Sequence, residues 1–333
     1  MAITVNQAFE EFLKNTVNLD KNVSSDAKNN RAELISALDL DDINFFRTYK
    51  SINYFFGSFS RKTKCRPLDD LDIMFGLSAE GNTYDCNSWN DVKINPSKDS
   101  VAQQECKNDN GQLDSNMVLG KLKKKLKGIC DLRVNEVVKN GEAITVNYKS
   151  KEWSFDIVPC FFTKPEIDGR TYYLIPNGKG AWKKTDPRID NERVQTLVEN
   201  KGIIILDAIR LFKYWNKRAK VVTLEGYVAE SLLLDYYESS YDDCSKYVYI
   251  EFIRLLSYVK DKITSDIYDP KNIQGNINNL SYWERQSVKQ KVEIIYNKAI
   301  DAHYAEKENN HCKALNIWGD IFGGEFPTYG WEK

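Results

Sequence analysis

The stretch Gly57-Ser-Phe-Ser-Arg-Lys-Thr-Lys-Cys-Arg-Pro-Leu-Asp-Asp-Leu-Asp-Ile-Met-Phe-Gly76 carries the reading of this 333-residue chain. It begins where the β-branched and aromatic run 51–58 (SINYFFGS) stops at a Gly-Ser turn, and it ends in a strand, LDDLDIMFGL (68–77). Side chains alternate across a strand, so Leu71, Ile73 and Phe75 share one face while Asp70, Asp72 and Met74 share the other. Two carboxylates on one strand face is the pattern of a hard-cation site, and it is also the pattern of a solvated turn before a strand. The upstream Gly57-Ser58 turn offers backbone N–H groups and a hydroxyl that suit a phosphate, and Arg61, Lys62, Lys64 and Arg66 fill the connector between turn and carboxylates. A phosphate cradle beside acidic residues points toward nucleotide chemistry.

Further along, WSFDIVPC (153–160) reads as a strand with Asp156 opposite Phe155 and Ile157. A carboxylate in so apolar a strand is costly unless a cation holds it. Brought together, Asp70, Asp72 and Asp156 would form an oxygen-ligand set for a divalent cation such as Mg²⁺, whose binding would remove their mutual repulsion.

Composition narrows the alternatives. Forty-seven Lys and Arg against 48 Asp and Glu leave a net charge of -1, which disfavours retention on nucleic acid by bulk charge. Seven cysteines without a C-x-x-C pair predict reduced thiols rather than a disulfide framework. Two histidines, His303 and His311, leave little for histidine-based catalysis, and His311-Cys312 reads as part of a surface helix. The N-terminal residues lack the pattern of a signal peptide, and GIIILDAIRLFKYW (202–215) is interrupted by Asp207, Arg210 and Lys213, so a cytoplasmic chain with no membrane span is expected.

Apolar periodicity predicts helices over 5–14, 24–38 (capped by Ser24 or Ser25), 115–129, 194–219, 226–238, 245–262 and 281–308, and strands over 132–138, 143–150 and 151–162, the last ending near Pro159. The polar stretch 80–112 reads as a long loop, a mobile flap near the cleft. Residues 163–193, rich in Pro and Gly, read as a connector. KLKKKLK (121–127) reads as a solvated basic helix face, with a nucleic-acid or partner patch as the other reading. Trp182, Trp215, Trp283 and Trp318 read as core aromatics, with stacking on bases as the other reading, and the tail from Trp318 reads as an aromatic strap docked on the core. The expected organisation is an α/β half, 1–170, followed by a helical half, 171–333.

Taken together, GSFSRKTKCRPLDDLDI and FDIVPCF (155–161) resemble the nucleotidyltransferases of the DNA polymerase beta superfamily. The T-K-x-R-P approach to the D-x-D, YLIPNGKGAWKKTDPR (173–188), RLFKYWN (210–216) and WGDIFGGEFP (318–327) are similar to the bacterial CD-NTases, the cyclic-oligonucleotide synthases of CBASS anti-phage defence and relatives of cyclic GMP-AMP synthase and oligoadenylate synthetase. The resemblance implies an α+β fold, a nucleotidyltransferase core with a mixed sheet plus an α-helical C-terminal lobe, with the active site in the cleft between them. It implies that NTPs, ATP and/or GTP favoured, are joined into a cyclic di- or trinucleotide with release of pyrophosphate, and that the product acts on a separate effector protein. Asp70, Asp72 and Asp156 would hold two Mg²⁺ ions, with Mn²⁺ able to substitute. Gly57, Ser58 and Lys213 would meet the donor triphosphate, with Thr63 in support, and Asp269 would lie at the base-binding edge. Tyr227 stands where relatives often carry a serine. No counterpart of the zinc-binding insertion of animal cyclic GMP-AMP synthase is visible, so no DNA activator is expected. A linear oligonucleotide or RNA-end nucleotidyltransferase, or an inactive nucleotide sensor, is the alternative. The three carboxylates speak against the sensor.

Overall fold

The computed structural model describes residues 2–40, 42, 44–130, 134–149, 151–218 and 223–330. In chain order the elements are α1 (Val5–Phe12), α2 (Lys21–Leu38), β1 (Tyr54–Phe56), α3 (Gly57–Ser60), β2 (Asp70–Gly76), β3 (Thr83–Ser88), β4 (Asp91–Asn95), α4 (Val101–Gln104), α5 (Ser115–Cys130), β5 (Val134–Asn140), β6 (Ala143–Tyr148), β7 (Ser154–Phe162), β8 (Tyr173–Pro176), β9 (Trp182–Thr185), α6 (Pro187–Lys201), α7 (Ile204–Arg218), α8 (Gly226–Ser239), α9 (Val248–Lys262), α10 (Tyr282–Lys307) and α11 (His311–Phe322). The parts expected at 132–133, Ser150, Ala219 and 331–333 lie outside the described residues.

The chain forms two compact units. One comprises Lys21–Arg61 and Leu68–Asn191, the other Met1–Asp20, Lys62–Pro67 and Glu192–Lys333. The division is therefore not the single boundary expected at 170/171. Helix α1 belongs with the C-terminal helices because its apolar face, Val5, Ala8, Phe9 and Phe12, is buried in their core. Phe9 meets the Trp318 ring edge-on at 4.9 Å and the Phe326 ring at 5.0 Å.

Among the described residues of the sheet unit, nine strands form one mixed sheet in the order β1-β2-β7-β8-β9-β4-β3, with β6 on β7 and β5 on β6. Strand β7 is the hub. It runs parallel to β2, and its first half pairs antiparallel with β6 up to Ile157, while its end pairs with β8 from Phe161. Pro159 sits between those two partners, where a missing N–H costs least, so the strand runs on to Phe162 instead of ending at the proline.

Two expected loops are elements. Residues 80–112 contain the β3–β4 hairpin and α4; Val92 and Ile94 are buried, and the buried Gln103 side chain donates to Ser78 O and Glu80 and accepts from Asn82. The stretch is a built part of the sheet unit, not a long loop. Residues 163–193 contain the β8–β9 hairpin and the start of α6. Trp182 within it is fully buried, and its Nε1 donates to Leu113 O at 2.9 Å. The basic helix α5 buries Leu119, Leu122 and Leu126, while Lys121 and Lys125 lie over the Phe46 and Phe45 rings, so its lysines cover apolar surface.

The helical unit packs around Phe12, Phe212, Phe252, Trp318 and Phe322. The run expected as one helix over 194–219 is two, because Gly202 adopts a left-handed φ of 89° that closes α6. Helix α2 starts at Lys21, ahead of the serines expected to cap it. Helix α10 begins with a capping box of Ser281 and Glu284. After α11 the strap is docked as expected: Phe326 is buried against Phe9, Phe12 and Phe322, and Tyr329 bridges to Ala2. Of the four tryptophans expected in the core, Trp182, Trp215 and Trp318 are buried, whereas Trp283 is 79% exposed at the start of α10.

Candidate active site

The register of three strand pairs builds an acidic row on the sheet. Asp72 pairs with Asp156 across the parallel β2–β7 ladder, Phe56 pairs with Asp72 across β1–β2, and Thr145 pairs with Asp156 across β6–β7. Paired residues project to the same face, and neighbouring strands lie about 4.8 Å apart, so Asp72 and Asp156 stand side by side. Asp70 lies two residues back on that face, opposite Ser154. The alternate residues Leu71, Ile73, Phe155 and Ile157 are buried, and all three aspartates are half-buried. The apolar face thus fixes which way the carboxylates point: a slip of one residue would bury them.

Two contacts set the carboxylates in place. Thr145 Oγ1 donates to Asp156 Oδ1 at 2.5 Å. Asp72 is seated directly on Gly57, which follows β1 with φ of 73°; a Cβ there would stand 1.7 Å from Asp72 Oδ2 and 2.6 Å from its Cγ. Glycine is required twice over, for the left-handed backbone and for the space the carboxylate fills. Ser58 follows in the first turn of α3.

A cation is implied by the family resemblance, and the donor set fits one. It consists of carboxylate oxygens without imidazole or thiolate, and carboxylates set this closely repel each other unless a cation neutralises them. Among the described residues, no group of three or more His, Cys, Asp or Glu side chains meets the geometry of a preformed metal centre, so the row is defined by register and not by converged ligands.

The other expected residues lie in the helical unit. Thr63 and Lys213 are brought together by a residue that sequence reading passed over. Glu230 on α8 is 2% exposed, and its Oε2 accepts from Thr63 Oγ1 at 2.6 Å and from Lys213 Nζ at 2.8 Å. Lys213 is therefore buried and paired. The signal was faint: one carboxylate in VAESLLL (228–234), among residues that pack as core. The basic connector is also spoken for in part. Arg66 donates to Asn18 O and Asn15 O, and Arg210 donates to Lys62 O.

Asp269 is engaged with its own loop. It pairs with Lys271 at 2.7 Å, accepts the N–H groups of Lys271, Ile273 and Gln274, and accepts from the Tyr227 hydroxyl at 3.2 Å. Lys271, buried and 4.3 Å from the Tyr227 ring centroid, also donates to the Tyr227 hydroxyl. Burial pushes the Asp269 carboxyl up, but the hydrogen bond and charge of Lys271, with the backbone N–H groups, outweigh it and hold it below its ordinary range.

No family model matches the chain. A probable cyclic nucleotide synthase of Bacillus cereus strain VD146 is 36% identical over 335 residues, covering 99% of both proteins. The cyclic AMP-AMP-AMP synthase of Acinetobacter sp. strain ATCC 27244 / 9458 is 29% identical over 222 residues, covering 62% of this chain and 58% of that protein. Among solved structures, CdnC of E. coli MS115-1 with ATP matches with a TM-score of 0.71, and CdnC in its complex with HORMA-deltaN with 0.69. Both are 16% identical in sequence and cover 97% of this chain and 98% of theirs, a likeness of fold.

Proposed function

This chain belongs to the CD-NTase family of cyclic nucleotide synthases, and from that premise we propose how its own residues carry the reaction. The enzyme is a nucleotidyltransferase of α+β fold that joins nucleotides into a cyclic product. In our reading a hydroxyl of one nucleotide attacks the α-phosphorus of an NTP, a new phosphodiester bond forms, and the bond to pyrophosphate breaks; repetition within the linear product closes the ring. ATP is the favoured donor, in line with the product named for the Acinetobacter relative and the nucleotide in the CdnC structure.

Asp70, Asp72 and Asp156 would hold two Mg²⁺ ions. Such ions supply in-line alignment of attacking and leaving oxygens and neutralise the charge that grows on both. Gly57 seats the Asp72 carboxylate, and Thr145 orients that of Asp156. The N–H groups and hydroxyl of the Gly57-Ser58 turn would take phosphate oxygens. Lys213 would meet a donor triphosphate, and Thr63 would support that contact. We also place the product in anti-phage signalling through a separate effector protein.

The register that sets Asp72 beside Asp156 is the observation that carries this reading. The test incubates the full chain with four labelled NTPs and Mg²⁺, Mn²⁺ or EDTA, and resolves phosphatase-resistant products. A cyclic product that disappears with EDTA and in Asp72→Asn is expected. A cyclic product formed equally in EDTA would overturn the metal assignment.

A further inference from the structure

We propose that Glu230 is a positioning residue for donor-nucleotide binding, acting through Lys213 and Thr63. The proposal rests on the reading above that Lys213 meets the triphosphate; the single hydroxyl donor of Thr63 is committed to Glu230, so Thr63 acts by anchoring its segment. Three segments meet at one atom: the connector carrying Thr63, α7 carrying Lys213, and α8 carrying Glu230, whose Oε2 takes both hydrogen bonds. Thr63 is fully buried and Lys213 is 7% exposed.

Stability alone does not ask for this carboxylate. A buried ion pair gains little over apolar residues of the same volume, because desolvation offsets the attraction. The neighbouring buried positions of α8, Val228, Ala229, Ser231, Leu232, Leu233 and Leu234, carry no charge. Glu230 instead restrains two groups that would otherwise rotate: the ammonium at the end of a four-carbon stem and a threonine hydroxyl. An ammonium has three donors, so one committed to Glu230 leaves capacity for phosphate oxygens while the head stays in place. A binding group fixed before its ligand arrives loses less conformational freedom on binding. The connector adds a second consequence. Thr63 lies between Ser58 and Asp70 in sequence, so anchoring its hydroxyl restrains the segment that joins the phosphate turn to the acidic strand.

The test uses the full chain and titrates a non-hydrolysable ATP analogue with Mg²⁺ by calorimetry, alongside KM, kcat and the melting temperature. Two variants separate the questions. Lys213→Met/Glu230→Gln is neutral at the pair, folds without a stranded charge, and reports on Lys213 itself. Glu230→Asp keeps the charge pair but withdraws the carboxylate by one methylene, and reports on positioning. Loss of a placed charge-assisted contact predicts analogue affinity about tenfold weaker in Glu230→Asp, KM raised to match, and kcat within about twofold, with the fold intact. If the double variant loses affinity while Glu230→Asp binds as the parent does, Glu230 does not position the site. If affinity in Glu230→Asp falls only in step with the folded fraction, its role is structural and the proposal fails. If the double variant binds as the parent does, the Lys213 reading falls and the proposal with it.

Discussion

Replacing Gly57 by alanine perturbs the acidic row through a single methyl group. The added Cβ would stand 1.7 Å from Asp72 Oδ2, 2.6 Å from its Cγ and 3.0 Å from its Cβ. Restoring even a close C···O contact of about 3.3 Å demands a shift of roughly 1.6 Å. The side chain cannot absorb that without leaving its place beside Asp156, because its own Cβ is already in contact. Misplacement of a reacting group by about 1 Å can lower a rate by about 10²-fold, so Gly57→Ala is expected to lose at least that much product formation. The left-handed backbone adds about 1–2 kcal/mol for a residue with a Cβ, a few degrees of melting temperature. Gly169→Ala is the matched control: its φ is 75°, and nothing lies within 4 Å of the added Cβ. It should share the loss of stability and keep the activity. The assay is initial rate of cyclic product from labelled ATP with Mg²⁺, read beside melting curves for both variants. If Gly57→Ala keeps its rate within threefold of Gly169→Ala, the seat of Asp72 is not part of the machinery and the argument fails.

Asp156→Asn should abolish product while folding normally, since the amide oxygen can still accept from Thr145; substantial activity at saturating Mg²⁺ would remove Asp156 from the ligand set. Gln103→Ala should lower the melting temperature by stranding Ser78 O, Glu80 and Asn82, at about 1–3 kcal/mol, and leave the product profile unchanged, as product mapping of the folded variant would show. Phe326→Ala should cost about 3–5 kcal/mol in denaturant unfolding, because it empties a site walled by Phe9, Phe12 and Phe322. Asp269 should make stability acid-sensitive. Its carboxyl is held below its ordinary 3.8, so its contribution is fully present above the unfolded value of about 3.9 and is lost as pH falls through the lower native one. The melting-temperature gap between the parent and Asp269→Asn should stay constant down to about pH 4 and close below it.

Much of the fold was legible because its signals are local. The alternation that buries Leu71 and Ile73 while turning Asp70 and Asp72 outward is written in the four consecutive residues 70–73, and the isolation of Asp156 between Phe155 and Ile157 is as local. The helical periods of α5, α8, α9 and α10 are likewise intact in the sequence. What escaped was short or polar. Strand β3 is almost wholly exposed, and β8 and β9 have four residues each, so no apolar period accumulates in them. They are strands because neighbours supply their hydrogen bonds.

The site divides along the same line. Residue type and spacing determined that three aspartates would be held on strand faces and that a Gly-Ser turn would precede them. Only the tertiary structure decided that β2 and β7 run parallel in the register that sets Asp72 beside Asp156, that Gly57 is the floor beneath Asp72, and that Glu230 gathers Thr63 and Lys213. The reason is physical: periodicity reports which way a side chain points from its own backbone, whereas a register or an ion pair depends on which distant segment arrives opposite, and that is settled by how the apolar faces pack.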